Sequence, residues 1–227
     1  MKSPAQVHFE RVAASLMAAA TPPGASMAGA SRYELMLAKL AADRRTLKGI
    51  QSIARKIEVK KRLLPEYLEY VAGVLESGRG AQDDVIVTVM IWMIDAGGYD
   101  DALMIARYAL KHGLALPEQF ERTLASAVVE QYADAALAAL AEGETFDAAL
   151  LANVAELTEG ADMHDQVRAK LYKSLGYAFT ESEPQAKLHY LRKALSLNDR
   201  VGVKRDIERL EKQIKNDAAG EGSGDSE

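Results

Sequence analysis

The chain holds no cysteine in its 227 residues. That excludes a disulfide framework, a thiol nucleophile and any zinc site built on cysteine. Aromatic residues make up only 6% and prolines number 6. Alanine and leucine dominate instead, which suits helices with short side chains at close contacts. No run of about 18 consecutive apolar residues occurs, so no transmembrane helix is expected. The start, MKSPAQVHFERV, carries charges where a signal peptide has an apolar run. A soluble intracellular protein is the expectation. His8, His112, His164 and His189 show no metal-ligand spacing, and no G-x-x-x-x-G-K-[ST] phosphate loop is present. Neither a cofactor nor a bound metal is expected.

Charge is what the chain does have, unevenly placed. The net charge is −5, yet residues 32–62 hold ten bases (Arg32, Lys39, Arg44, Arg45, Lys48, Arg55, Lys56, Lys60, Lys61, Arg62) against three acids. Residues 81–163 hold three bases against fifteen acids. A basic arm on an acidic body points to a polyanion partner for the arm alone.

Helix signals run along the whole chain and predict an all-α fold. Ser3 and Gln6 bracket Pro4 as a capping box, after which Phe9, Val12 and Leu16 share a face. TPPGASMAGAS (21–31) reads as a linker. From Ser31, with Glu34 as a second capping box, a helical pattern continues to Leu64, predicting one long basic helix of roughly 45–50 Å. Pro65 starts another helix that Gly78 ends. AQDDVIVTVMIWMIDAG and YDDALMIARYALKHG, parted by Gly97-Gly98, read as a helix hairpin. VIVTVMIWM (85–93) is β-branched, but nothing nearby offers a strand partner, so a buried helix with Trp92 in the core is expected. Further helices are expected near 118–142, 145–158, 163–181, 184–197 and 199–215. LYKSLGYAF (171–179) with KLHYLRKALSLND (187–199) has the cues of a tetratricopeptide-like helix pair, with Asp199 where proline is usual. The expected organisation is 1–64 for DNA binding, 65–160 for oligomerisation, 161–216 as the tetratricopeptide-like region, and 217–227 as a disordered acidic tail.

On a helical wheel, Leu40, Leu47, Ile50, Ile53, Ala54, Ile57 and Leu64 share a sector of about 140°. Arg44, Arg45, Lys48, Arg55, Lys56, Lys60 and Arg62 face the other way and are the candidate DNA-binding residues. Lys39 and Lys61 break the pattern. Few acids stand near enough to neutralise this ridge, so duplex phosphates are the preferred partner. A membrane surface fits poorly, because the apolar face lacks Trp and Phe anchors. Single strands fit poorly too, because no aromatics interleave with the bases. A solvated or acid-paired charged face is the plain alternative. Asp83-Asp84 and Asp100-Asp101 could in principle hold Mg²⁺, but both pairs sit at helix starts, where acids favour the dipole. No catalytic residue is assigned. A helical protein-interaction adaptor without direct DNA binding, and a nuclease using the aspartate pairs, stay open as other readings.

SPAQVHFERV, YELMLAKLAADRRTLKGI, the block LLPEYLEYVAGVLESGRGAQDDVIVTVMIWMIDAG, ALMIARYALKHGLALP, ADMHDQVRAKLY and GVKRDIERLEKQIK resemble, in order and wording, the small terminase subunit (the M protein) of P-two-like tailed phages. The resemblance covers about residues 3–216. It implies recognition of a packaging (cohesive-end) site on concatemeric viral DNA in the host cytoplasm. It also implies presentation of that DNA to a large subunit with ATPase and nuclease activity, and assembly as a ring of identical copies. Such subunits are often described as part of a terminase endonuclease, and the sequence itself shows no nuclease constellation. Family members can end in a basic tail. This chain ends in DAAGEGSGDSE, so DNA contact is expected at residues 44–62 instead.

Overall fold

The computed structural model describes residues 3–20, 31–117 and 122–221. Within them the protein is all-α, with eleven helices, a 3-10 turn at Leu64–Glu66 and no strand. The expected linker (21–31, but for Ser31) and the last residues of the acidic tail (222–227) lie outside the described residues. The chain divides into two compact units, Met1–Leu124 and Ala125–Glu227.

The first unit is built on α5 (Asp84–Asp95). Val85 to Met90 and Trp92 to Ile94 are buried, so the β-branched run is a core helix. Asp83 starts it by accepting from the Val85 and Ile86 amides at 2.9 and 3.1 Å. α6 (Tyr99–Lys111) pairs with α5 through a turn in which Gly97 has φ +85°, where a side chain would be strained. α1 (Pro4–Ala20) packs on α4 (Leu68–Ser77) and begins with the expected capping box: Gln6 N–H donates to Ser3 Oγ at 3.2 Å, and Ser3 N–H to Gln6 Oε1 at 2.8 Å. Phe9, Val12 and Leu16 of its apolar stripe are 69%, 41% and 66% exposed.

The long helix expected from 31 to 64 is divided. α2 ends at Lys48 and α3 spans Ile53–Leu63. The physical reason is local. Gly49 costs about 1 kcal/mol in a helix interior relative to alanine. Its N–H bonds back to Arg45 and Thr46 carbonyls, closing α2, and three residues later Ser52 caps α3 by accepting from Arg55 N–H at 3.3 Å. The break also rotates the face predicted for a continuous wheel. Ile53, expected inside, is 76% exposed, while Val59 is buried at 8%.

In the second unit, α7 (Leu124–Ala141) is long and apolar enough by composition to cross a bilayer. Val128, Val129, Tyr132, Ala133 and Ala136 are nevertheless fully buried, and Asp134 pairs with Lys170 of α9, so it is a core helix. α8 (Ala148–Leu157), α9 (Asp165–Ala178), α10 (Pro184–Leu197) and α11 (Lys204–Glu221) follow. α9 and α10 form a tight pair, with Leu171, Leu175, Leu191 and Ala194 fully buried. Gly176 permits the approach: a Cβ there would lie 2.7 Å from Leu191 Cδ2. α11 lays Ile207 and Leu210, with Val203 just before it, against Leu188 and Leu191. It extends through Glu221, into the stretch expected to be a disordered tail.

Candidate nucleic-acid interface

α2 buries Tyr33, Met36, Leu40 and Leu47 at helical spacing and packs on α5. α3 packs on α5 and on the 3-10 turn. Both basic helices are therefore fixed to the same hydrophobic support, joined by the four-residue connection Gly49–Ser52.

The ten bases of residues 32–62 fall into two sets. Four are tied into the fold. Arg32 pairs with Glu10 of α1 at 3.1 Å. Lys39 bonds Asp43 at 2.8 Å and Glu66 at 3.1 Å, and stands 4.7 Å over the Tyr67 ring. Burial pulls the Lys39 ammonium down, but those two carboxylates outweigh it and hold its pKa above the usual lysine range. Arg44 donates to Thr88 Oγ1 at 2.8 Å, and Thr88 donates onward to the Asp84 carbonyl at 2.7 Å. Burial lowers the Arg44 pKa, with Asp84 opposing. Lys60 pairs with Asp95 at the end of α5. Arg44 and Lys60 were both candidate DNA contacts, and here they hold α2 and α3 to α5.

The other set points outward. Arg45, Lys48, Arg55, Lys61 and Arg62 are exposed and Lys56 is half-buried. None of these six makes an ion pair among the described residues. Lys61, which fell outside the wheel pattern, joins this set because the break at Gly49 turns α3. The signal that could have found it was Ser52 as a cap following a glycine.

The inner anchoring is polar as well. Asp43 also accepts from Tyr67 Oη at 2.6 Å, and the Tyr67 ring meets Trp92 edge-on at 6.1 Å. Asp83 accepts from Tyr70 Oη at 2.5 Å. Asp83 is thus used as a buried helix cap, and Asp84 accepts from Gln82 Nε2 at 2.9 Å. Asp100 and Asp101 occupy the first turn of α6. Among the described residues, no group of three or more His, Asp or Glu side chains is placed to hold a metal ion.

The arrangement defines a class, an all-helical protein presenting a cation-bearing helix pair from an acidic body. The model of the phage small terminase subunit family matches residues 37–166. The chain is 48% identical over 216 residues (95% of this chain, 87% of the relative) to the terminase, endonuclease subunit of Escherichia phage P2. It is 26% identical over 196 residues (78% of this chain, 68% of the relative) to the probable terminase, endonuclease subunit of Haemophilus phage HP1. No solved structure matches it. The chain belongs to the phage small terminase subunit family.

Proposed function

We propose that this chain is the DNA-recognition subunit of the terminase, gripping duplex at the packaging (cohesive-end) site and presenting it to the large ATPase and nuclease subunit. The observation that carries this is the division of the bases. Those facing the core are bonded to it, whereas Arg45, Lys48, Arg55, Lys56, Lys61 and Arg62 face outward without ion pairs among the described residues. A paired helix unit with a four-residue glycine-containing turn is a frame commonly used on duplex DNA. The phosphates of a duplex would neutralise the outward set.

Two assembly features belong to the same reading. The uncovered Phe9, Val12 and Leu16 stripe supports association with further copies of the chain, as a ring-like homo-oligomer. The tight α9–α10 pair with α11 packed on it supports a tetratricopeptide-like unit. Light scattering should give a mass well above the 24.6 kDa of one chain, and Phe9→Ser with Leu16→Ser should reduce it.

The deciding experiment is a binding titration across salt concentrations, with the phage's end sequence against random duplex. Each phosphate contact contributes about 0.9 to the log–log slope. Changing Arg55, Lys61 and Arg62 together to Ala should lower the slope by roughly 2–3. An unchanged slope would shift the reading to a protein-interaction adaptor. Cutting is assigned to the large subunit, so the purified chain with Mg²⁺ should leave the end sequence intact. Specific cleavage abolished by Asp84→Asn would overturn that assignment.

A further inference from the structure

Residues 44–62 carry no aromatic ring, but the second unit brings rings and a cation together from separate helices. Phe179 and Tyr190 stack with centroids 5.6 Å apart and planes 10° from parallel. Tyr172 lies 6.1 Å from Tyr190, and His189 meets Tyr190 edge-on at 5.0 Å. Lys193 Nζ stands 5.4 Å from the Tyr172 ring and 5.5 Å from the Tyr190 ring. The three large rings are half-buried, while His189 and Lys193 are exposed.

The row adds to a helix contact that is already closed by aliphatic side chains. The α9–α10 seam is already closed by Leu171, Leu175, Leu191 and Ala194, all fully buried, and by the close approach at Gly176. The rings continue the α9–α10 contact beyond those fully buried residues, and each is only half-buried. The local charge also differs from the body. Residues 164–216 hold twelve bases against seven acids, whereas residues 63–163 hold four against eighteen. Neighbouring Arg192 pairs with Glu211 at 2.7 Å and Lys187 with Glu181 at 2.5 Å. Lys193 makes no ion pair among the described residues and is held over two ring faces instead.

Partly open rings beside an ammonium match the repeating chemistry of an unpaired strand. A base stacks on a ring face from which Lys193 swings away, the freed ammonium meets the adjoining phosphate, and any base sequence will serve. A duplex hides its base faces. An acidic peptide would engage the lysine and leave the rings unused. The geometry points to Tyr172, Phe179, Tyr190 and Lys193 as a platform for single-stranded DNA, separate from the α2–α3 duplex interface. The source of that strand rests on the terminase reading: staggered cleavage at a packaging site leaves single-stranded ends.

The test uses the full chain and three fluorescent probes: a short mixed-sequence single strand, a blunt duplex of the same sequence, and a polyglutamate peptide. Lys193→Glu and Tyr172→Ala should each weaken single-strand binding roughly tenfold and leave duplex binding unchanged. The Arg55, Lys61 and Arg62 triple variant should do the reverse. Lys193→Glu changes only an exposed side chain, so it stays informative if Tyr172→Ala loosens the helix pair. A strand carrying 5-iodouracil should photocrosslink to Tyr172, Phe179 or Tyr190. Single-strand binding unchanged in both variants, or crosslinks mapping only outside the second unit, would overturn the platform. So would equal weakening of polyglutamate and strand by Lys193→Glu, which would mark a site for acidic peptides. Loss of single-strand binding in these variants, with no duplex binding by the wild type, would support the platform while refuting the duplex interface.

Discussion

The Tyr70 hydroxyl donates to Asp83 Oδ2 at 2.5 Å inside the first unit, where the two side chains are each 1% exposed. This bond joins α4 to the cap of α5, the helix around which the unit is built. Burial pushes the Asp83 carboxyl up to about 6, against the pull of Tyr70 and the Ile86 and Val85 amides. The folded chain therefore holds the Asp83 proton more tightly than the unfolded chain does. That contribution to stability is fully present below about pH 4 and is lost as pH rises through about 6. Asp83→Asn keeps an acceptor for the α5 amides and removes the titration. Urea unfolding at pH 5 and pH 7.5 should show the wild type losing about 1 kcal/mol more than the variant across that interval. Equal losses in the two proteins would show that Asp83 does not titrate there.

Arg44 and Lys60 should behave as structural residues. Thr88→Val removes the acceptor of a half-buried guanidinium and should cost about 1–2 kcal/mol in urea unfolding. Arg44→Ala should likewise lower the melting temperature, whereas Arg55→Ala should leave it within a degree or two. Equal melting of Arg44→Ala and wild type would show that the Thr88 bond contributes nothing.

Arg168 is 8% exposed and donates to Thr158 Oγ1 at 3.0 Å, the Thr158 carbonyl at 2.6 Å and the Ala161 carbonyl at 3.1 Å. It closes the C-terminal end of α8, where a cation also favours the helix dipole. Arg168→Leu takes its donors from Thr158 Oγ1 and from the Thr158 and Ala161 carbonyls, leaving the Thr158 carbonyl only its bond from Ala161 N–H, and should cost about 1–3 kcal/mol. Arg168→Lys should recover only part, because an ammonium cannot reproduce the planar fork. Full recovery by lysine would mean that charge alone matters at this position.

Gly176 and Leu191 should be coupled. Gly176→Ala drives a Cβ to within 2.7 Å of Leu191 Cδ2 and 2.9 Å of its Cγ. Overpacking of this kind costs about 1–3 kcal/mol, offset by up to about 1 kcal/mol of helix propensity. Leu191→Ala should cost less in the Gly176→Ala background than in the wild type, by about 1 kcal/mol in a double-mutant cycle. Additive effects would mean that the helices move apart freely.

Features legible in the sequence were those whose cause is local. Ser3 with Gln6, Pro65, Gly78 and Gly97 mark element ends through neighbouring residues. The run Val85–Met93 reads as a core helix because no strand partner adjoins it. The break at Gly49 is not legible because a single glycine's cost of about 1 kcal/mol is tolerated inside many helices, and the cap at Ser52 lacks an acidic or amide partner three residues on. That one turn re-aimed α3, exposing Ile53 and bringing Lys61 into the outward set. Arg44 and Lys60 are chemically indistinguishable from their neighbours in the sequence. Their partners, Thr88 and Asp95, lie 44 and 35 residues away, so only tertiary packing separates them from the outward bases. Tyr172, Phe179 and Tyr190 are likewise spread over two helices and meet only when α9 and α10 pair.

The division of positive charge on α2 and α3 also governs what salt can do. Counter-ions reach Arg55, Lys61 and Arg62 from the solvent, but they have little access to Lys60 beside Asp95 or to the guanidinium against Thr88. Raising ionic strength then acts as a selective release. Under the proposed duplex contact, the outward cations would let go of phosphate while the inward ones keep the two helices seated. On the reading proposed above, such a surface is loaded and stripped without remaking itself.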